Sequence, residues 1–382
     1  MDAVVRKELF EIDENIDKLV KKIELLDFIN PINIEEEKQK FFKSRYTKEP
    51  NFKYPEISFD AFELNQSFFN QKIETIENEM IKSLYKDIIY SYTSLIECID
   101  TIGKGKKFYY NSLRAFGTPT EIDVENAKFI LHFSNEKRNS SMIPKFTSAE
   151  AENYFRDFSQ HYNFTYSIKH SNKLSAIAMV LNNIQTLVIN ENHIFSKNEL
   201  EVLANHEIGV HMVTTMNGLF HPLKIFSHGF PNNVETQEGL AVYSEYMSNN
   251  LTLTRLKELA YRVIAVDSLA KGYSFIQTFN LLKNTYNLNK EQSFYITLRT
   301  HRGGGFTKDY LYLTGLKKVY DYHQQGNDLS PLLSGKVSLE YVDDINYLVK
   351  MGYAKSNRHH NNAFNTNDNR SELVNFILTN LK

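Results

Sequence analysis

Residues 205–213 read Asn-His-Glu-Ile-Gly-Val-His-Met-Val, and the geometry they demand decides how this chain must fold. Two imidazoles with a carboxylate beside the first form the donor set of a zinc hydrolase, in which histidines hold the ion and the glutamate takes a proton from water. In the familiar His-Glu-x-x-His arrangement the histidines stand four apart on a helix, about 40° from alignment, so both reach one ion. His206 and His211 stand five apart. On a regular helix that leaves the second ring roughly 140° away from the first, too far round to share a metal. One widened turn with i to i+5 hydrogen bonding realigns them, and such turns concentrate at functional sites. The spacing therefore predicts a π-bulge or local helix break around residues 208–210, eased by Gly209. Glu207 is the candidate base.

The flanks of the motif say what kind of element carries it. Upstream, residues 162–190 gather β-branched and aromatic residues in short runs divided by Ser-Asn and Asn-Asn turn signals, which predicts two or three strands, the last at 184–189. Ser196 with Glu199 is a capping box, so the motif helix opens directly after a strand. Asn217-Gly218 is its expected stop, because both residues tolerate left-handed backbone angles. Downstream, the segment TQEGLAVYSEY at 236–246 predicts a second helix over about 235–249. A catalytic zinc site takes three protein ligands and leaves a fourth position for water. Glu238, early in that second helix, is the candidate third ligand, and Gly239 beside it would let the two helices approach closely. Glu235 and Glu245 are its rivals, and each is otherwise a residue of a solvated helix face.

Composition bounds the rest. The chain has 382 residues, of which 42% are apolar and 24% charged, the balance of a soluble globular protein. A formal net charge of −2 argues against a general nucleic-acid binder, which needs a basic surplus. Cys98 is the single cysteine. Intrachain disulfides are therefore excluded, a zinc site must come from His and carboxylate, and a reducing cytoplasm fits best. The N-terminus lacks the apolar run of an export signal, and no stretch is long and apolar enough for a membrane helix. The 23 Tyr and 27 Phe, with no Trp, are read as core material rather than as a stacking surface for bases.

Leu9, Ile12, Ile16, Leu19, Val20, Ile23 and Leu26 predict an amphipathic helix over 2–28, stopped by Asn30-Pro31. Pro50 and Pro55 make 45–57 an extended connector, and 62–102 predicts one or two long helices. Residues 356–370 are polar and Asn-rich, with the character of a mobile loop. The chain is thus expected to be α+β and mainly helical, with an N-terminal helical region at 1–140 and a catalytic core at 141–382.

Three segments in order, HEIGVH at 206–211, TQEGLAVYSEY at 236–246 and RGGGFTKDYLYLTG at 302–315, resemble the QEGLA-motif family of flavohemoglobin expression-modulating bacterial proteins. That family is related to the eukaryotic microtubule-associated tyrosine carboxypeptidases. The resemblance runs from about residue 30 to about residue 315. It implies a zincin-like core with a small sheet next to the zinc helix, one Zn2+ held by His206, His211 and Glu238, and Glu207 as the catalytic residue. It points to a peptide or protein C-terminus as substrate without fixing the residue removed, tyrosine or another aromatic being the candidates; nucleic acid and membrane are set aside as partners on charge and hydropathy.

A carboxypeptidase must hold a terminal carboxylate, for which an Arg fork or a Lys ammonium is the natural partner. Arg302 is the candidate, with Arg299 and Lys308 behind it, and the glycines at 303–305 would give a substrate backbone room. The plain alternative is a solvated basic loop or an ion pair with Asp309. His228, Tyr243, Tyr310 and Tyr312 are candidates to stabilise an oxyanion. The strand ending near Ile189 is expected to border the cleft, where an extended peptide adds as an extra strand. Two other classes stay open: a zinc endopeptidase or amidase with the same ligands, and a non-catalytic regulatory binding protein.

Overall fold

The computed structural model describes residues 3–134, 140–172, 176–365 and 371–382. Its chain divides into two compact units, one of residues 1–133, 256–313 and 382, the other of 134–255 and 314–381. The first crossing falls near the compositional shift at 140, but residues 256–313 return to the first unit, which a single linear cut does not anticipate.

Among its described residues the first unit is helical. Ala3–Val20 buries Leu9, Ile12, Ile16 and Val20 on one stripe, and Leu25–Ile29 forms a separate short helix after it. The 62–102 run resolves into Ala61–Phe69 and Glu79–Asp100. Asn78 opens the longer one, its side chain accepting from the Ile81 N–H at 3.1 Å, and so satisfies an orphan donor of the first turn. Phe41, Phe275, Phe279 and Phe294 pack with Leu298, Phe41 meeting Phe279 edge-on with centroids 4.9 Å apart. The aromatic surplus is spent on core here, as its composition suggested.

The second unit carries the sheet. Strands β1 (Ser167–Ser171), β2 (Ala178–Leu181) and β3 (Thr186–Asn190) lie in the order β1-β3-β2, with β1 parallel and β2 antiparallel to β3. The expected last strand therefore exists but is central, paired on both sides, and β2 forms an edge. A peptide has no free ladder on β3 to join. Leu187 and Ile189 of β3 pack with Phe195, Leu200, Ala204, Ile208 and Met212, so the sheet backs the segment that bears the histidines. Lys197–Leu203 opens that segment through the expected capping box: Glu199 N–H donates to Ser196 Oγ at 3.2 Å and Ser196 N–H to Glu199 Oε2 at 2.7 Å.

Two local expectations are corrected. The helix does not stop at Asn217-Gly218 but runs through Val213–Phe220. Asn217 is buried and bonded to the backbone of Leu333 and His359, while a Cβ on Gly218 would lie 2.6 Å from the Phe226 carbonyl oxygen. Both residues serve close packing rather than a left-handed cap. Of the 356–370 stretch, His359 and Asn361 are buried and the His359 N–H donates to Asn217 Oδ1 at 2.9 Å. This part is held by tertiary hydrogen bonds despite its polar composition. Residues 366–370 lie outside the described residues.

Candidate metal centre and active site

Between Lys197–Leu203 and Val213–Phe220 the backbone widens into a π-helix, Ala204–Met212. The widening spans nine residues, longer than the single turn expected around 208–210. With i to i+5 hydrogen bonding in place of i to i+4, the two rings come back to one face: their centroids are 4.9 Å apart. Gly209 contributes by space rather than by unusual backbone angles. A Cβ there would stand 2.9 Å from Asn361 Nδ2 and 3.4 Å from the Tyr162 hydroxyl, so the wide turn is wedged by its neighbours.

The second helix, Asn233–Met247, lies against the π-helix and brings Glu238 to the rings. Its Oε2 is 3.7 Å from His206 Nε2 and 3.6 Å from His211 Nε2, and the three donor atoms all lie within 4.8 Å of one another. Zinc bonds of about 2.0–2.1 Å set tetrahedral donors roughly 3.3–3.4 Å apart, so Glu238 stands within a few tenths of an ångström of that spacing from each ring. The tautomer fits as well. Glu245, fully buried, accepts from His206 Nδ1 at 2.8 Å. That fixes one ring proton on Nδ1, so that in the neutral ring the Nε2 lone pair faces Glu238 and His211. Arg255 donates to both oxygens of Glu245 at 3.2 and 3.3 Å, which keeps that carboxylate ionised although burial opposes it.

Of the two rival glutamates, then, Glu245 supports a ring instead of facing the donor cluster, and Glu235 pairs with Lys318 at 2.7 Å. Gly239 does permit a close approach, but to a different helix from the one expected. A Cβ on it would lie 2.3 Å from the carbonyl carbon of Gly315 in Leu311–Gln324.

Burial pushes the Glu207 carboxyl up to about 7, with Glu238 adding to the rise and His206 opposing it. A carboxyl poised there is suited to exchanging protons near neutral pH. Glu207 Oε2 accepts from the Val180 N–H of the edge strand β2 at 3.1 Å, which orients the carboxylate and leaves Oε1 for a proton. For His206, burial works against the charged ring but Glu238 and Glu245 outweigh it and hold it up to about 9, whereas burial lowers His211 to about 4. A cation entering the cluster thus competes with a proton held at His206.

The other expected residues have contacts of their own. Arg299, Arg302 and Lys308 belong to the first unit. Arg299 grips the buried Asp309 with two hydrogen bonds, the ion pair named as the plain alternative. Arg302 is buried, donates to Asn30 Oδ1 at 2.6 Å and covers the Phe306 ring at 4.9 Å. Lys308 is half-buried within electrostatic reach of Glu24. The adjoining glycines dock onto their own unit, Gly304 meeting the Gly105 backbone and Gly303 and Gly305 the rings of Phe108 and Tyr109. Their small size is used by packing. The Tyr243 hydroxyl bonds His323, Tyr310 donates to the Phe116 carbonyl, and Tyr312 lies under Arg262. His228 is half-buried in Ile225–His228.

Sequence reasoning missed Arg255 and Lys336. The Lys336 ammonium is buried and donates to the His211 carbonyl at 3.0 Å and to Thr214 Oγ1 at 2.9 Å. Both are reached from outside the motif helix, so no spacing rule could have found them.

Residues 39–382 match the sequence family described as microtubule-associated tyrosine carboxypeptidase. The Mus musculus relative named MATCAP2 is 26% identical over 347 residues, covering 86% of this chain and 57% of that protein. Microtubule-associated tyrosine carboxypeptidase 1 of Homo sapiens is 25% identical over 334 residues, 84% of this chain and 61% of that protein. The chain therefore spans about three fifths of the length of these relatives.

Proposed function

Since the chain belongs to the microtubule-associated tyrosine carboxypeptidase family, we propose that it is a zinc-dependent carboxypeptidase removing a C-terminal residue, tyrosine or another aromatic, from a peptide or protein. The observation that carries this reading is the convergence of His206, His211 and Glu238 beside Glu207. A purely structural metal site has no use for a buried carboxyl held next to its ligands. A three-stranded sheet backing the helix that bears the histidines also accords with a zincin-like core.

Zinc held by these three side chains would act as a Lewis acid that polarises the scissile carbonyl and acidifies a water molecule. The chain's own part follows from the geometry. Glu207, steadied at Oε2 by the Val180 N–H, takes the proton of the attacking water on Oε1 and returns it to the departing amine. Glu245 and Arg255 keep His206 in one tautomer and orientation throughout. The substrate backbone lies along the β2 edge, since β3 is paired on both sides.

The test is zinc content of wild type, Glu238→Ala and Glu207→Gln, paired with mass spectrometry of a peptide mixture bearing free and amidated C-termini. The reading expects about one zinc in wild type and Glu207→Gln, none in Glu238→Ala, and loss of single C-terminal residues from free-carboxylate peptides by wild type alone. Internal cleavage or equal attack on amidated peptides would make it an endopeptidase or amidase. Wild type without zinc after reconstitution would leave a binding protein.

A further inference from the structure

We propose that Lys336 is a positioning residue that locks the C-terminal end of the wide turn and thereby fixes His211, an inference that rests on the metal-centre reading for its functional consequence.

The π-helix must return to α geometry after Met212, one residue past His211, because Val213–Phe220 is α-helical. If the widening slipped back toward the α register at that junction, His211 would rotate by about 100° and leave the face it shares with His206. The His211 carbonyl is where side chains intervene. It accepts from Thr214 Oγ1 at 3.1 Å, Thr215 Oγ1 at 2.7 Å and Lys336 Nζ at 3.0 Å. The two threonines belong to the helix itself and move with it. Lys336 comes from a separate segment, so its bond to the carbonyl does not move with the helix.

That segment is itself fixed. Lys336 N–H donates to the Phe226 carbonyl at 2.7 Å, the Lys336 carbonyl accepts from Phe230 N–H at 2.8 Å, and a Cβ on the adjacent Gly335 would lie 2.2 Å from the Phe226 oxygen. Thr214 Oγ1 then holds the ammonium against the carbonyl at 2.9 Å. The wide turn is therefore wedged at Gly209 by Asn361 and Tyr162 and tied at His211 by Lys336.

Lys336→Met keeps an unbranched chain of similar reach and removes the donor, and Thr214→Val removes the hydroxyl that steadies it. Amide hydrogen exchange is measured on chelator-treated protein, zinc affinity by competition with a chromophoric chelator, and kcat and KM on a free-carboxylate peptide. We expect Lys336→Met to speed exchange at residues 212–216 at least tenfold while β3 keeps its protection. Zinc affinity should fall ten- to a hundredfold, the range for groups that orient metal ligands, and kcat should fall with KM unchanged. Thr214→Val should move every readout the same way by less, and it preserves the test if Lys336→Met does not fold. Unchanged exchange and zinc affinity would overturn the proposal. So would a higher KM for the free-carboxylate peptide alone, which would make the ammonium a substrate contact. If wild type takes up no zinc while Lys336→Met still accelerates exchange, the metal reading fails and the tie to the wide turn stands.

Discussion

Replacing Gly315 by alanine should dismantle the proposed metal centre without touching any of its three proposed ligands. A Cβ on Gly315 would sit 2.0 Å from the Glu235 carbonyl oxygen, where ordinary contact begins at 3.4 Å. Cβ contacts under 3.0 Å are essentially never seen, so the two helices must part by at least 1.0 Å at this crossing. Both neighbours are backbone, so no side chain can swing aside. Glu238 is three residues along from Glu235 on the same helix, and its Oε2 stands 3.6–3.7 Å from the two rings. Metal–ligand bonds tolerate about 0.2 Å, so a displacement near 1 Å removes Glu238 from the cluster or strains it strongly. Overpacking of this kind costs about 1–3 kcal/mol, which lowers the Tm by roughly 3–10 °C for a unit of this size. The assay is a thermal scan of the chelator-treated protein, followed by zinc titration against a competing chelator. Gly326→Ala serves as the comparison: a Cβ there meets nothing within 4 Å, so it should show only modest backbone strain and normal zinc uptake. Gly315→Ala with wild-type melting and wild-type zinc affinity would refute the argument that this crossing sets the position of Glu238.

Three further outcomes are expected. Glu245→Gln keeps the shape of the side chain but removes the charge that fixes His206 Nδ1–H and partners Arg255; zinc affinity should drop ten- to a hundredfold, and an unchanged chelator titration would contradict it. His301 is held down to about 4 by burial, whereas an unfolded chain takes up that proton near 6.5. Its folded pKa is depressed, so stability is lost as pH falls from 6.5 toward 4, by about 2 kcal/mol at pH 5. His221 is lowered in the same way. Urea unfolding at pH 7 and pH 5 should show a smaller difference in His301→Gln than in wild type, and equal differences would rule the assignment out. Arg302→Ala separates carboxylate binding from packing. Its buried contacts with Asn30 and Phe306 lead us to expect a stability loss of about 1–3 kcal/mol with KM for a free-carboxylate peptide unchanged, and a raised KM in a protein of normal Tm would reverse that reading.

What could be read from the sequence was whatever depended on spacing along one element. The five-residue interval between His206 and His211 forced a widened turn because rotation per residue is fixed. Ser196 and Glu199 marked the start of the helix because a capping box is local. Glu238 could be placed near the histidines only as one of three glutamates, since periodicity alone does not say which face of the second helix meets the first. Glu245 shows the difficulty: seven residues further on, it lies on nearly the same face and supports a ring instead of facing the donor cluster. Asn217-Gly218 misled because its residue types signal a stop, whereas here the amide is used for four tertiary hydrogen bonds and the missing Cβ for a backbone approach. The glycines at 303–305 misled likewise, their openness being filled by Phe108, Gly105 and Tyr109. The return of residues 256–313 to the first unit was beyond any local signal.

The widened turn also constrains how this segment can change in length. Deleting one residue between the histidines, Gly209 for example, would give the four-residue interval at which an ordinary α-helix aligns two rings. Everything upstream would then turn by about 100° and slide by about 1.5 Å relative to everything downstream. If the downstream half keeps its place, Leu200 and Ala204 rotate off Leu187 and Ile189 and the sheet loses its backing. If the upstream half keeps its place, His211 leaves the tie from Lys336 and the reach of Glu238. The interval thus behaves like a reading frame: a single insertion or deletion is not absorbed locally, and passing between five- and four-residue spacings requires the sheet and the second helix to be refitted together.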